Sequence, residues 1–118
     1  MHRFKDLEVW KVSIEMVGDV YEITSCFPKH EMFGIINQIR RSAVSIPSNI
    51  AEGAGKGTNK DFKKYVAIAS GSCNELETQL IISNKLDYIS EVDFKMIKEK
   101  LTRIQNMLFG LQRSLRNT

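Results

Sequence analysis

From Ile97 onward an apolar residue returns at alternating spacings of four and three: Ile97, Leu101, Ile104, Leu108, Leu111 and Leu115. A repeat near 3.5 residues puts all six on one side of a helix. A seam made only of Leu and Ile is stable only where other helices cover it, so the rest of the chain must supply those partners. It does so three times, with Leu7, Trp10, Ile14, Val17 and Tyr21, then Ile36, Ile39, Ala43, Ile46 and Ile50, then Phe62, Tyr65, Ala69, Cys73, Leu76 and Leu80. A chain of 118 residues, 42% apolar, can bury one core and has no room for a second.

The punctuation between these stripes sets the helix limits. Asp6 is a reasonable N-cap for the first helix, and the CFPKH stretch ends it because Pro28 cannot extend a helix. Thr58 with Asp61, and Ser90 with Asp93, have capping-box spacing. Three glycines within GAGKG, residues 53 to 57, stop the second helix, while Pro47 inside it predicts a kink, because the stripe stays in phase on both sides. Helices are therefore expected at about 6 to 26, 30 to 54, 59 to 86 and 91 to 115. They should form an all-α, antiparallel up-down-up-down four-helix bundle in a single domain spanning 1 to 118. Trp10, Ile14, Ile39, Ala43, Leu76, Leu80, Leu101, Ile104 and Leu108 are the expected core.

The first helix is too apolar for one core. Val9, Met16, Val20, Ile23 and Phe27 form a second stripe roughly opposite Leu7 and its partners. One stripe faces the core, and the other must meet a second chain, a fold-back of this chain, or solvent. With the Leu7 stripe taken as the core face, the Val20 stripe becomes the expected contact between chains, in a homo-oligomer.

Several chemistries are excluded or disfavoured by spacing. A phosphate-binding loop needs G-x-x-x-x-G-K followed at once by Ser or Thr, but Ile50 stands in the first glycine position and Gly57 separates Lys56 from Thr58. The glycines read as an interhelical turn. A di-metal carboxylate bundle needs two Glu-x-x-His pairs, and neither His2 nor His30 follows a glutamate by three residues. No positioned nucleophile and base emerge. No catalytic residue, metal ligand or cofactor is expected. Cys26 and Cys73 form no ligand pair and suggest a reduced, cytoplasmic chain. No export signal is visible at MHRFKDLEVW, and no apolar run reaches the roughly 20 residues that span a bilayer, so no membrane association is expected.

The net charge is +3, and all of it falls after residue 59, where 10 basic residues face 7 acidic ones. Lys56, Lys60, Lys63 and Lys64 cluster at the start of the third helix, and Lys100, Arg103, Arg113 and Arg116 occur with no acid after residue 100. Such clusters can hold phosphates, so Lys56, Lys60, Lys63, Lys64, Arg113 and Arg116 are candidate nucleic-acid contacts. Charged solvated faces look the same, and no aromatic residues are interleaved to stack bases. A polar run also interrupts the middle helices, where Arg41, Ser45, Ser48, Asn49 and Glu52 share one broad face. It fits either a helix-register device or a functional surface.

The stretch QIRRSAVSIPSNIAEGAGKG, Gln38 to Gly57, resembles the signature of a bacterial four-helix bundle family. That family is named after proteins encoded in intervening sequences of 23S ribosomal RNA genes, and is also labelled the S23 ribosomal protein family. The likeness extends to FKDLEVW at Phe4 to Trp10, Phe27-Pro28, Phe62 to Tyr65, and IASGSCNELETQL at Ile68 to Leu80. Arg40, Arg41, Ser45, Pro47, Asn49, Glu52 and Gly53 match the first signature, and Ser72, Glu75 and Glu77 the second. The resemblance assigns them no catalytic role. It implies a ring, expected to be a homopentamer. Through similarity to accessory variability proteins of diversity-generating retroelements, it also implies RNA and a reverse transcriptase as partners. Encoding within a ribosomal RNA gene does not make a protein a ribosome component. The expected function is thus a non-enzymatic oligomeric bundle that binds RNA or DNA, or a nucleic-acid-processing partner, through basic surfaces. The alternative is a structural or protein-interaction ring that binds no nucleic acid.

Overall fold

A computed structural model describes residues 3 to 115. Four helices make the body: α1 (Glu8–Thr24), α2 (Ile35–Ala54), α3 (Asn59–Lys85) and α4 (Glu91–Ser114). Short 3₁₀ turns at Phe4–Asp6 and Lys29–Glu31 precede α1 and α2, and there is no strand among the described residues. Each helix packs on its neighbours in sequence, and α4 closes against α1, leaving α1 and α3 on one diagonal, α2 and α4 on the other. The bundle measures 48 × 24 × 20 Å.

The α4 seam behaves as its repeat requires. Ile97, Leu101, Ile104, Leu108 and Leu115 are buried, with Leu111 packed at the margin. Ile39, Ala43, Leu76 and Leu80 are in the same core. Both expected caps form: the Asp61 amide donates to Thr58 Oγ1 at 3.2 Å, and the Asp93 amide to Ser90 Oγ at 3.1 Å. Pro47 is buried inside α2, which continues through it. Having no N–H, Pro47 cannot donate to the Ala43 carbonyl, a local loss that the packing of Ile46 and Ile50 on either side outweighs.

The first helix departs from expectation, because its two stripes are exchanged. Val9, Val12, Met16 and Val20 face the core, joined by Phe27 just beyond the helix. Ile14 is 45% exposed, Tyr21 is exposed, and Leu7, Trp10 and Val17 are only half-buried. Ile14 and Trp10 are therefore not the core residues expected of them. Val20, at 1% exposure, belongs to the interior of a single chain, so a charge there would unfold the chain rather than test a contact between chains. Two buried hydroxyls share this inner face. Ser13 Oγ donates to the Trp10 carbonyl at 2.8 Å and Thr24 Oγ1 to the Val20 carbonyl at 2.7 Å, so both polar groups are buried without an unmet hydrogen bond. The 3₁₀ turn folds back over part of the outer stripe, placing the Phe4 ring edge-on to Trp10 at 5.2 Å.

Two helix starts also differ. Leu7 occupies the N-cap position of α1 with no side-chain cap, while Asp6 ends the preceding turn and pairs with Arg3 at 3.5 Å. The second helix begins at Ile35 rather than near residue 30, because Pro28 opens a 3₁₀ turn and Gly34 interrupts the chain before regular helix can start.

Candidate nucleic-acid interface

The glycine-rich turn joins α2 to α3 with no glycine in the left-handed region. Gly53, in the last turn of α2, serves close approach instead: a Cβ there would lie 2.7 Å from Tyr65 Cβ and 2.8 Å from Phe62 Cδ1. This close crossing fixes the start of α3 and the lysines on it. Lys60 is exposed and Lys63 half-buried, and among the described residues neither forms an ion pair. Lys64 Nζ stands 6.0 Å from the centre of the Tyr65 ring. Lys56 is less free, because it pairs with Glu52 at 3.3 Å and lies 5.4 Å from the same ring. The hydrogen bond to Glu52, then the charge of Tyr65, raises its pKa above 10.5.

Antiparallel packing brings the end of α4 to this same end of the bundle. Asn74 Oδ1 accepts from Gln105 Nε2 at 3.2 Å, and a groove beside it is lined by Ala67, Ser70, Phe109 and Gln112. Following that register puts Arg113 close to the first turns of α3, its guanidinium 5.8 Å from the Phe109 ring. Arg116 lies outside the described residues. Lys100 and Arg103 are further along, and Lys100 has carboxylate partners on α1, bonding Glu15 at 2.9 Å and also Asp19. The absence of acids after residue 100 therefore did not leave Lys100 free.

Sorted by position instead of sequence, the charges separate along the long axis. The glycine-turn end gathers Arg3, Lys5, Lys56, Lys60, Lys63, Lys64 and Arg113 against Asp6, Glu8, Glu52 and Asp61. The far end has Lys29, Arg40, Lys85 and Lys95 against Glu22, Glu31, Asp87, Glu91 and Asp93. Arg3 and Lys5 join the basic end because the first 3₁₀ turn packs against the start of α1 and against α2. Distance in the chain concealed them.

The signature polar residues take five places. Arg40 Nε donates to Thr24 Oγ1 at 2.9 Å, and its guanidinium stacks over Tyr21 at 4.6 Å, putting a cation beside the last turn of α1. Ser45 and Ser72 meet hydroxyl to hydroxyl at 2.8 Å, and Asn49 Nδ2 donates to Ser45 Oγ at 2.9 Å, a polar clasp between α2 and α3. Arg41 and Glu75 line one open groove with Asn37, Ser42 and Gln79, yet form no ion pair among the described residues. Glu52 is held by Lys56. Glu77 is away from the groove, near Cys73, whose thiol is pushed up to about 12 by burial and then by the Glu77 charge.

No group of His, Cys, Asp and Glu suited to a metal ion occurs among the described residues. His30 is exposed, and His2 lies outside the described residues. No described helix is long and apolar enough to cross a membrane.

Comparison with known proteins gives two findings. The sequence profile of the 23S rRNA-intervening sequence protein family matches residues 5–110. A crystal structure from Bacteroides thetaiotaomicron, described as a protein with unknown function from the S23 ribosomal protein family, superposes with a TM-score of 0.82 at 25% identity, covering 89% of this chain and 95% of that one. No curated protein matches.

Proposed function

Because the chain belongs to the 23S rRNA-intervening sequence protein family, we propose that it works without catalysis, as a self-assembling bundle whose glycine-turn end holds the phosphate backbone of RNA or DNA. The observation that carries this reading is the axial separation of charge. Lys60, Lys63 and Arg113 converge on the basic end with no carboxylate partner among the described residues, and Lys64 has only an aromatic neighbour. The N-terminus of α3 adds the partial positive charge of its amides. Contacts of this kind recognise backbone charge and tolerate any sequence.

A ring, five-fold by resemblance, would repeat the basic end in every subunit and multiply its pull on phosphates. Sedimentation equilibrium distinguishes 13.5 kDa for a monomer from five times that mass. A reverse transcriptase partner is proposed from the resemblance to accessory variability proteins, and a reverse transcriptase gene beside this one is the observation that supports it.

Titration of labelled RNA and duplex DNA at two salt concentrations tests the binding. Lys60→Gln with Lys64→Gln should weaken both across unrelated sequences, and should flatten the salt dependence on duplex DNA by about 0.9 for each phosphate no longer neutralised. Unchanged affinity and slope would remove this end from the reading. A second reading, a protein-interaction ring without nucleic acid, is favoured by the apolar Ile14, Tyr21 and Val44 that α1 and α2 leave exposed. Failure of the intact oligomer to bind at low salt selects it.

A further inference from the structure

We infer that the groove between α3 and α4 takes an unstacked base of a single-stranded nucleic acid against the Phe109 ring, so that the basic end holds single strands in preference to duplex. The inference rests on the phosphate-binding reading of that end and adds to it a substrate class and a contact for the base. Phe109 is 65% exposed and lines the groove with Ala67, Ser70, Asn74, Gln105 and Gln112. The small side chains of Ala67 and Ser70 leave the ring uncovered, and Leu108, which also lines the groove, is fully buried. An open aromatic ring is a surface on which any base can stack. In a duplex the base faces are already covered, and the ring reaches one only if the pair is opened.

The groove leads into the unpaired cations. Lys60, Lys63, Ala67, Ser70 and Asn74 follow one another at spacings of three and four, so they share one stripe of α3 that runs from the groove to the glycine-turn end. Lys63 is one turn, about 5.4 Å, beyond Ala67. Arg113 stands on the α4 side, its guanidinium 5.8 Å from the centre of the Phe109 ring. That α3 stripe carries no aromatic residue of its own, and antiparallel packing supplies one from α4. Positive charge at the mouth favours a polyanion over an apolar peptide as the occupant. The walls offer amides to a base edge. Gln105 Nε2 donates to Asn74 Oδ1 at 3.2 Å, which leaves Asn74 Nδ2 and Gln105 Oε1 without a partner among the described residues. The Gln112 side-chain oxygen is buried with no hydrogen bond among the described residues, a cost that turning the amide toward a donor in the groove removes.

Titrating the full chain with labelled single strands of RNA and DNA, the matching duplexes, and an abasic DNA strand of the same length tests this at two salt concentrations. The wild type should bind single strands more tightly than duplex. Phe109→Ala should weaken binding of single strands by roughly 5- to 150-fold, the loss of one stacked base, while leaving the salt slope and the affinity for duplex and abasic strand unchanged. Phe109→Trp should restore single-strand affinity, and circular dichroism of each variant checks that the bundle is intact. An equal loss on the abasic strand or on duplex overturns stacking as the role of the ring. Single-strand affinity unchanged in Phe109→Ala, with binding still weakened by Lys60→Gln and Lys64→Gln together, overturns the groove and leaves the basic end standing. A wild type that binds none of these probes at low salt overturns the phosphate-binding reading itself, and this inference with it.

Discussion

The Ser45 and Ser72 hydroxyls share a hydrogen bond of 2.8 Å at the crossing of α2 and α3, with Ser72 buried and Ser45 half-buried. Asn49 braces Ser45 from one turn further along α2. Replacing Ser45 by Ala leaves the Ser72 hydroxyl without its partner in the interior. That change should cost about 1 to 3 kcal/mol, read as a lower urea midpoint with the slope of the transition unchanged.

Gly53→Ala tests the close approach at the end of the same pair of helices. In an exposed helix interior this substitution gains about 1 kcal/mol. Here the new methyl would fall 2.7 Å from the Tyr65 Cβ, part of a rigid stem that cannot swing aside. A net destabilisation of about 1 to 3 kcal/mol is expected from overpacking, visible as a lower Tm.

Ile104 has no exposed surface and lies at the centre of the α4 seam. Its truncation to Ala should cost roughly 2 to 5 kcal/mol by denaturant unfolding. Ile14→Ala, on the outer flank of α1, should cost far less in a monomer, and comparing the two variants measures how completely the core favours one stripe.

The Lys100 bridge to α1 predicts a pH dependence. Its hydrogen bond and charge hold Glu15 below its ordinary 4.5, while the hydrogen bonds it donates to Asp19 and Glu15 raise Lys100 above 10.5. The depressed carboxylate stabilises the fold above 4.5, and this is lost as pH falls through its folded value. The raised ammonium stabilises below 10.5, and this is lost as pH rises through its folded value. The difference in urea midpoint between wild type and Lys100→Gln should therefore be steady near neutrality and shrink as pH falls below 4.5.

The helices and most of the core were legible because a period of 3.6 residues survives any choice of neighbour. The choice between Val20 and Tyr21 as the buried side of α1 was not, because two stripes of equal regularity differ only in what the other helices offer them. Ser13 and Thr24 also lie on the inner side, where both hydroxyls bond to their own helix. Aromatic Trp10 and Tyr21 made the outer one look like core. The site divides the same way. Lys60, Lys63 and Lys64 are neighbours in sequence, so their cluster is visible there. Arg3 and Lys5 reach it through tertiary packing, and Lys100 leaves the free cations by finding partners on α1, some eighty residues earlier.

The two thiols give the fold an internal clock. Cys26 stands open just past α1, whereas Cys73 is wholly enclosed and its thiol is pushed up to about 12. Only the thiolate reacts with an alkylating reagent. A single reagent on unmodified chain thus gives two rates, one reporting ordinary access and the other the frequency with which the whole interior opens.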